Sequence, residues 1–196
     1  QLDANLRIGM RELILRVQRE LKMTTIFVTH DQEEAVMLAD RIALLFAGDL
    51  QQYDTPRGFY ERPASAAIAR FFGGLNFIAG RKAAGQFISP LGAFELNGVA
   101  APDAPGLLTI RPEAIAFAEG ANTVRGVVRS AMYLGTQMRY WVDAGGAELQ
   151  VLADPSQPRQ PGDAVSLALP KERLWVVPEE SGVGGQESGV TSQESE

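Results

Sequence analysis

The sequence predicts an α/β unit with parallel strands over residues 1–72, a small all-β barrel or sandwich over 73–178, and a disordered acidic tail over 179–196. Two observations predict the division. Before residue 73 apolar runs alternate with helical periodicity; after it, short apolar runs follow one another between Gly and Pro turns. The tail is built from Ser, Gly, Gln, Glu, Val and Thr with no aromatic residue, so it cannot bury enough apolar surface to fold.

The first unit opens with Asp3 as a helix N-cap. Leu6, Met10, Leu13, Ile14, Val17 and Leu21 then recur at three- and four-residue spacing, giving one apolar face of an amphipathic helix. Arg7, Arg11, Glu12, Arg16, Arg19, Glu20 and Lys22 read most simply as its solvated face. Thr24 to Thr29, β-branched and aromatic, reads as a buried strand; Asp31 to Leu38 as a helix; Ile42 to Phe46 as a second strand. Strand, helix, strand in this order argues for a parallel βαβ unit. Ala47-Gly48-Asp49 is a tight turn into Leu50 to Tyr53, an edge hairpin. A parallel strand is normally covered on both faces and paired on both edges, so residues 1–72 taken alone should expose apolar surface.

His30 is the single histidine among 196 residues, and it falls at the carboxyl end of the Thr24–Thr29 run, where open α/β sheets bind ligands. Asp31 can cap the following helix, with Glu33 and Glu34 complementing the helix dipole in the first turn. Taken without context, a lone histidine at a strand end reads more simply as a solvated or core residue than as a functional one.

In the second unit, Phe87-Ile88-Ser89, Ala93 to Leu96, Leu107 to Ile110, Ala114 to Phe117, Thr123 to Tyr133, Gln137 to Val142, Glu148 to Leu152, Ala164 to Leu169 and Leu174 to Val177 read as short strands. Gly92, Asn97-Gly98, Pro105-Gly106, Gly120, Gly135, Gly145-Gly146 and Pro161-Gly162 separate them, a barrel or sandwich pattern. Arg111-Pro112-Glu113 reads as a turn in which Pro112 stops a strand and Arg111 pairs locally with Glu113, in preference to a functional contact. Tyr140, Trp141 and Trp175 belong in the wall or core rather than on a base-stacking surface.

Composition narrows the function classes. Apolar content of 45% with 21% charge is that of globular domains, and no apolar run approaches the ~18 residues of a membrane span. Cysteine is absent, which excludes disulfides and thiolate metal sites. The net charge of −6 divides into −1 for residues 1–72, 0 for 73–178 and −5 for 179–196. Neither folded unit therefore has the basic excess that nucleic-acid binding requires.

Read outward from His30, the segments Leu2-Asp3-Ala4-Asn5-Leu6-Arg7, Thr24 to Ala35 and Leu38-Ala39-Asp40-Arg41-Ile42, with Gly48, resemble the second half of an ABC-type ATP-binding subunit from a bacterial importer. Thr55-Pro56, Phe59-Tyr60, Pro63-Ala64 and Phe71-Phe72-Gly73 resemble the helices that close such domains. By the resemblance, Leu2-Asp3 is the end of the D-loop and His30 the switch histidine of the H-loop. Leu108 to Glu113 and Tyr133-Leu134-Gly135-Thr136 resemble the TOBE module, an oligonucleotide-binding-like barrel appended to many importer ATPases. The fold class that follows is an incomplete P-loop NTPase half-domain plus a TOBE barrel.

The resemblance implies a catalytic His30 that contacts the ATP γ-phosphate, and an Asp3 in the loop that crosses a dimer of nucleotide-binding domains. It implies ATP and Mg2+ as cofactors, most of whose ligands lie upstream: no Gly-x-x-x-x-Gly-Lys-Ser/Thr phosphate loop occurs in these residues. The expected protein is the ATP-hydrolysing subunit of an importer, peripheral on the cytoplasmic face of the inner or plasma membrane. Its expected partners are a second ATP-binding subunit, transmembrane permease subunits and, indirectly, a periplasmic or extracellular binding protein. These 196 residues alone are expected to be inactive. Weak resemblance at Pro90 to Phe94, Leu134-Gly135-Thr136 and Leu174-Trp175 leans towards polyamine, iron or inorganic-anion cargo rather than sugar. A reading of a different class is a non-enzymatic small-ligand or oligonucleotide-binding barrel with a vestigial N-terminal segment.

Overall fold

A computed structural model of the chain describes residues 4–97 and 103–179, so Asp3 and nearly all of the acidic tail lie outside the described residues. Among these, twelve strands and four α-helices occur, and no helix is long and apolar enough to cross a membrane.

Helix α1 runs Ala4–Leu21 and α2 Gln32–Leu38. Between them the expected strand does not form. Residues 24–29 form no strand, with Ile26 91% and Val28 93% exposed. A β-branched pattern favours extended backbone, whereas a ladder also needs a neighbour, and no described strand pairs with this segment. The expected parallel βαβ unit is accordingly absent from the described residues. The second expected strand is present as β1 (Ile42–Phe46), but it pairs antiparallel with β2 (Asp49–Asp54) in a two-stranded hairpin. Ala47 and Gly48 both take positive φ, 50° and 92°, as a tight two-residue hairpin turn demands.

Two short helices follow. Thr55 caps α3 (Pro56–Glu61) by accepting from the Gly58 N–H, and Ser65 caps α4 (Ala66–Phe71) by accepting from the Ile68 N–H. Ile42, Phe59, Ile68 and Phe72 form a small core, with Ala35, Ala39, Leu44, Phe46 and Phe71 packed on it. The rest of this half is open: Leu6, Met10, Leu13, Val17 and Leu21 on α1 all remain more than two-fifths exposed.

The remaining strands build two five-stranded antiparallel sheets. One contains β3 (Asn76–Ala83), β4 (Gln86–Ser89), β5 (Gly92–Glu95), β6 (Pro105–Ile110) and, last in the chain, β12 (Trp175–Pro178), ordered β12-β6-β3-β4-β5. The other contains β7 (Ala116–Phe117), β8 (Thr123–Tyr133), β9 (Met138–Ala144), β10 (Ala147–Ala153) and β11 (Ala164–Ala168), ordered β10-β9-β8-β11-β7. Both sheets feed one core that includes Phe87, Phe94, Leu108, Tyr140, Leu149 and Leu167, each essentially inaccessible. The sandwich alternative thus describes the arrangement better than a single closed five-stranded barrel.

Two buried asparagines tie the sheets together. Asn76 donates to the Gln150 carbonyl at 2.8 Å and accepts from the Gln150 N–H at 2.7 Å. Asn122 does the same with Glu95, at 2.9 and 2.7 Å. Each carboxamide replaces one missing ladder pair where the strands of one sheet leave off.

Candidate functional site

His30 directly follows the unpaired segment 24–29 and is exposed; among the described residues no hydrogen bond engages it. The residues on either side are held firmly. Asp31 is the N-cap of α2, with Oδ1 accepting from the Glu33 and Glu34 N–H groups at 2.9 and 3.2 Å. Thr29 Oγ1 accepts from the Asp31 N–H at 3.0 Å and donates to Glu34 Oε2 at 2.8 Å. The cap expected at Asp31 is present, as are Glu33 and Glu34 in the first turn.

Sequence reasoning missed the cation at the centre of this network. Arg11 was expected on the solvated face of α1, yet it is 6% exposed. Its Nη2 donates to Asp31 Oδ2 at 3.0 Å and lies 3.6 Å from Glu34 Oε1, while its Nη1 lies 3.3 Å from Glu33 Oε2. Glu12, Arg16, Arg19, Glu20 and Lys22 are exposed as expected. The available signal was the acid-rich run Asp31, Glu33, Glu34, which would hold three negative charges at one helix start without a cation. Helical periodicity could not say that Arg11 faces it.

The second unexpected cation is Arg111. It was read as one half of a surface pair with Glu113, but it is 8% exposed and binds backbone carbonyls of the helical segment instead. Nε and Nη2 donate to the Tyr60 carbonyl at 3.1 and 2.8 Å, and Nη1 to those of Phe72 and Ala69 at 2.6 and 3.4 Å. The guanidinium also lies 4.0 Å from the Tyr60 ring centroid. Burial draws its pKa down to about 10, which leaves it charged at neutral pH. The close approach depends on Gly74, where a Cβ would lie 2.6 Å from the Ala69 carbonyl oxygen and 3.3 Å from Arg111 Nη1.

Trp175 belongs to the same junction. Its indole N–H donates to the Pro63 carbonyl at 2.9 Å, so it leaves the sandwich core and grips the segment between α3 and α4. Tyr140, fully buried, keeps the core position expected of it, and its hydroxyl accepts from the Arg159 N–H. A cleft beside the junction is lined by Tyr60, Glu61, Thr109, Glu113, Arg173 and Trp175. The buried cation there is already occupied by carbonyls, and the remaining charges are of both signs, so no ligand chemistry is selected.

Residues 108–177 match the TOBE domain model. A spermidine/putrescine import ATP-binding protein of Pseudomonas aeruginosa is 38% identical over 90% of this chain and 51% of its own length. A sulfate/thiosulfate import ATP-binding protein of Chromobacterium violaceum is 35% identical over 92% of this chain and 52% of its own. An sn-glycerol-3-phosphate import ATP-binding protein of Chromohalobacter salexigens is 37% identical over 86% and 48%. The chain spans about half the length of the curated relatives it matches. Carrying a TOBE domain at residues 108–177, it is homologous over about nine-tenths of its length to the ATP-binding subunits of ABC importers.

Proposed function

We propose that these residues are the C-terminal portion of the ATP-hydrolysing subunit of a bacterial ABC importer. Residues 1–72 form the end of a P-loop NTPase half-domain, 73–178 a TOBE module that regulates or stabilises a dimer, and 179–196 an acidic tail. The observation that carries the reading is similarity to import ATP-binding proteins through both the His30 region and the TOBE domain. That continuity disfavours a stand-alone ligand-binding barrel with a vestigial leader.

His30 fits one phosphate contact: an exposed imidazole can donate to a phosphate oxygen, and the capped loop around it fixes where the ring starts from. Among the described residues no cluster of three His, Cys, Asp or Glu could hold a metal ion, and the sequence has no phosphate loop. The phosphate cradle and the Mg2+ ligands are therefore assigned to the remainder of the intact subunit. Bound there, Mg2+ neutralises charge on the ATP phosphates. In this scheme His30 senses the γ-phosphate and helps orient the attacking water, and Asp3 acts in the loop crossing a dimer of subunits.

The partners proposed are a second copy of the subunit, the permease and, through it, a binding protein; the site of action is the cytoplasmic membrane face. The cargo is a polyamine, iron or an inorganic anion, in line with the names of several relatives. In the intact subunit His30→Ala should abolish turnover while ATP binding persists, measured by phosphate release and nucleotide titration. Unchanged turnover would remove His30 from the mechanism.

A further inference from the structure

The geometry points to Arg11 as a positioning residue that couples α1 to the His30 loop, an inference that rests on the proposed role of His30. Arg11 does not touch His30. It acts through Asp31, whose two carboxylate oxygens have separate tasks: Oδ1 caps α2, and Oδ2 receives the Arg11 guanidinium at 3.0 Å. Locking the second oxygen fixes the rotamer of the first, and with it the backbone one residue after His30.

A second arm reaches the residue before His30. Arg11 Nη2 lies 3.6 Å from Glu34 Oε1, Glu34 Oε2 accepts from the Thr29 hydroxyl, and Thr29 Oγ1 accepts from the Asp31 N–H. Residues 29 and 31 thus belong to one network anchored on a cation that is 6% exposed, while His30 between them is exposed. Such an arrangement is what a mobile contact group on a fixed base requires, since small displacements of a positioning group can lower a rate about a hundredfold. Arg11 lies two turns into the helix that begins at Ala4, directly after Asp3. A shift of that helix would therefore be carried to the His30 loop through a charged fork rather than through soft apolar contacts.

The test uses the intact subunit assembled with its permease. Arg11→Met should lower kcat about tenfold to a hundredfold with KM for ATP changed less than about twofold. Arg11→Lys should recover part of the loss, because one ammonium can meet Asp31 but cannot fork to Glu33 as well. Hydrogen exchange followed by mass spectrometry should show faster exchange confined to residues 29–35 in Arg11→Met. Asp31→Asn keeps a capping side chain without the charge, so adding Arg11→Met to it should cost kcat much less than in the wild type.

Additive effects of the two substitutions, or unchanged exchange at 29–35, overturn the coupling. So does a loss of kcat matched by an equal loss of ATP affinity. If Arg11→Met does not fold, Arg11→Lys and the cycle it makes with Asp31→Asn carry the same comparisons. His30→Ala separates the two readings: lost turnover there with normal Arg11 variants overturns only the positioning role, whereas normal turnover in His30→Ala overturns both.

Discussion

Arg111 Nη1 donates to the carbonyl oxygen of Phe72 at 2.6 Å, joining the residue after β6 to the C-cap of α4 across 39 residues of sequence. The same side chain holds the Tyr60 carbonyl near the end of α3, so one guanidinium satisfies orphan carbonyls at two helix ends. Arg111→Met leaves those carbonyls without their donor in a buried place and should destabilise the protein by about 2–4 kcal/mol. Arg111→Lys should recover less than half of this, because a point ammonium cannot span the three acceptors. Denaturant midpoints at constant m-value measure both, and a change below ~0.5 kcal/mol for Arg111→Met would show the junction to be held elsewhere.

Asn76 and Gln150 predict a comparable loss inside the sandwich. Asn76 is fully buried, and its carboxamide satisfies both backbone groups of Gln150. Asn76→Ala should cost about 2–3 kcal/mol by leaving a donor and an acceptor unmade. Asn76→Asp should cost at least as much, since a carboxylate cannot donate to the Gln150 carbonyl and its charge would be buried. Thermal unfolding of the two variants distinguishes this from simple loss of volume: were Asn76→Asp close to wild type, the donor half of the pair would be irrelevant.

Local signals were legible in the sequence and distant ones were not. The Asp31 cap and the hairpin at Ala47-Gly48 each involve partners within a few residues. Strand β3 escaped notice because Gly80, Arg81 and Lys82 interrupt its apolar pattern, although it lies at the centre of its sheet. At Gly80 the interruption has a cause: a Cβ would fall 2.3 Å from the Ile88 carbonyl oxygen. Arg11 was assigned to solvent and Arg111 to a local pair with Glu113, since their partners lie 20 to 51 residues away and composition carries no record of them. The segment Thr24–Thr29 shows the opposite error, in which a local preference for extended backbone was read as evidence for a partner strand.

That segment yields the last prediction. Ile26 and Val28 are 91% and 93% exposed, Phe27 is 50% exposed, and the apolar stripe of α1 is open as well. So many large apolar side chains left exposed are rare on a stable monomer and mark faces that other protein normally covers. Residues 1–196 expressed alone should therefore bind a hydrophobic dye and self-associate as concentration rises. Ile26→Thr with Val28→Thr should weaken dye binding while shifting stability by no more than ~0.5 kcal/mol, because side chains so exposed make little packing contribution. Dye fluorescence and sedimentation measure the two effects on the same samples. A monomer that binds no dye would mean that residues 24–29 fold against the chain itself, and the unpaired segment would then be no docking face at all.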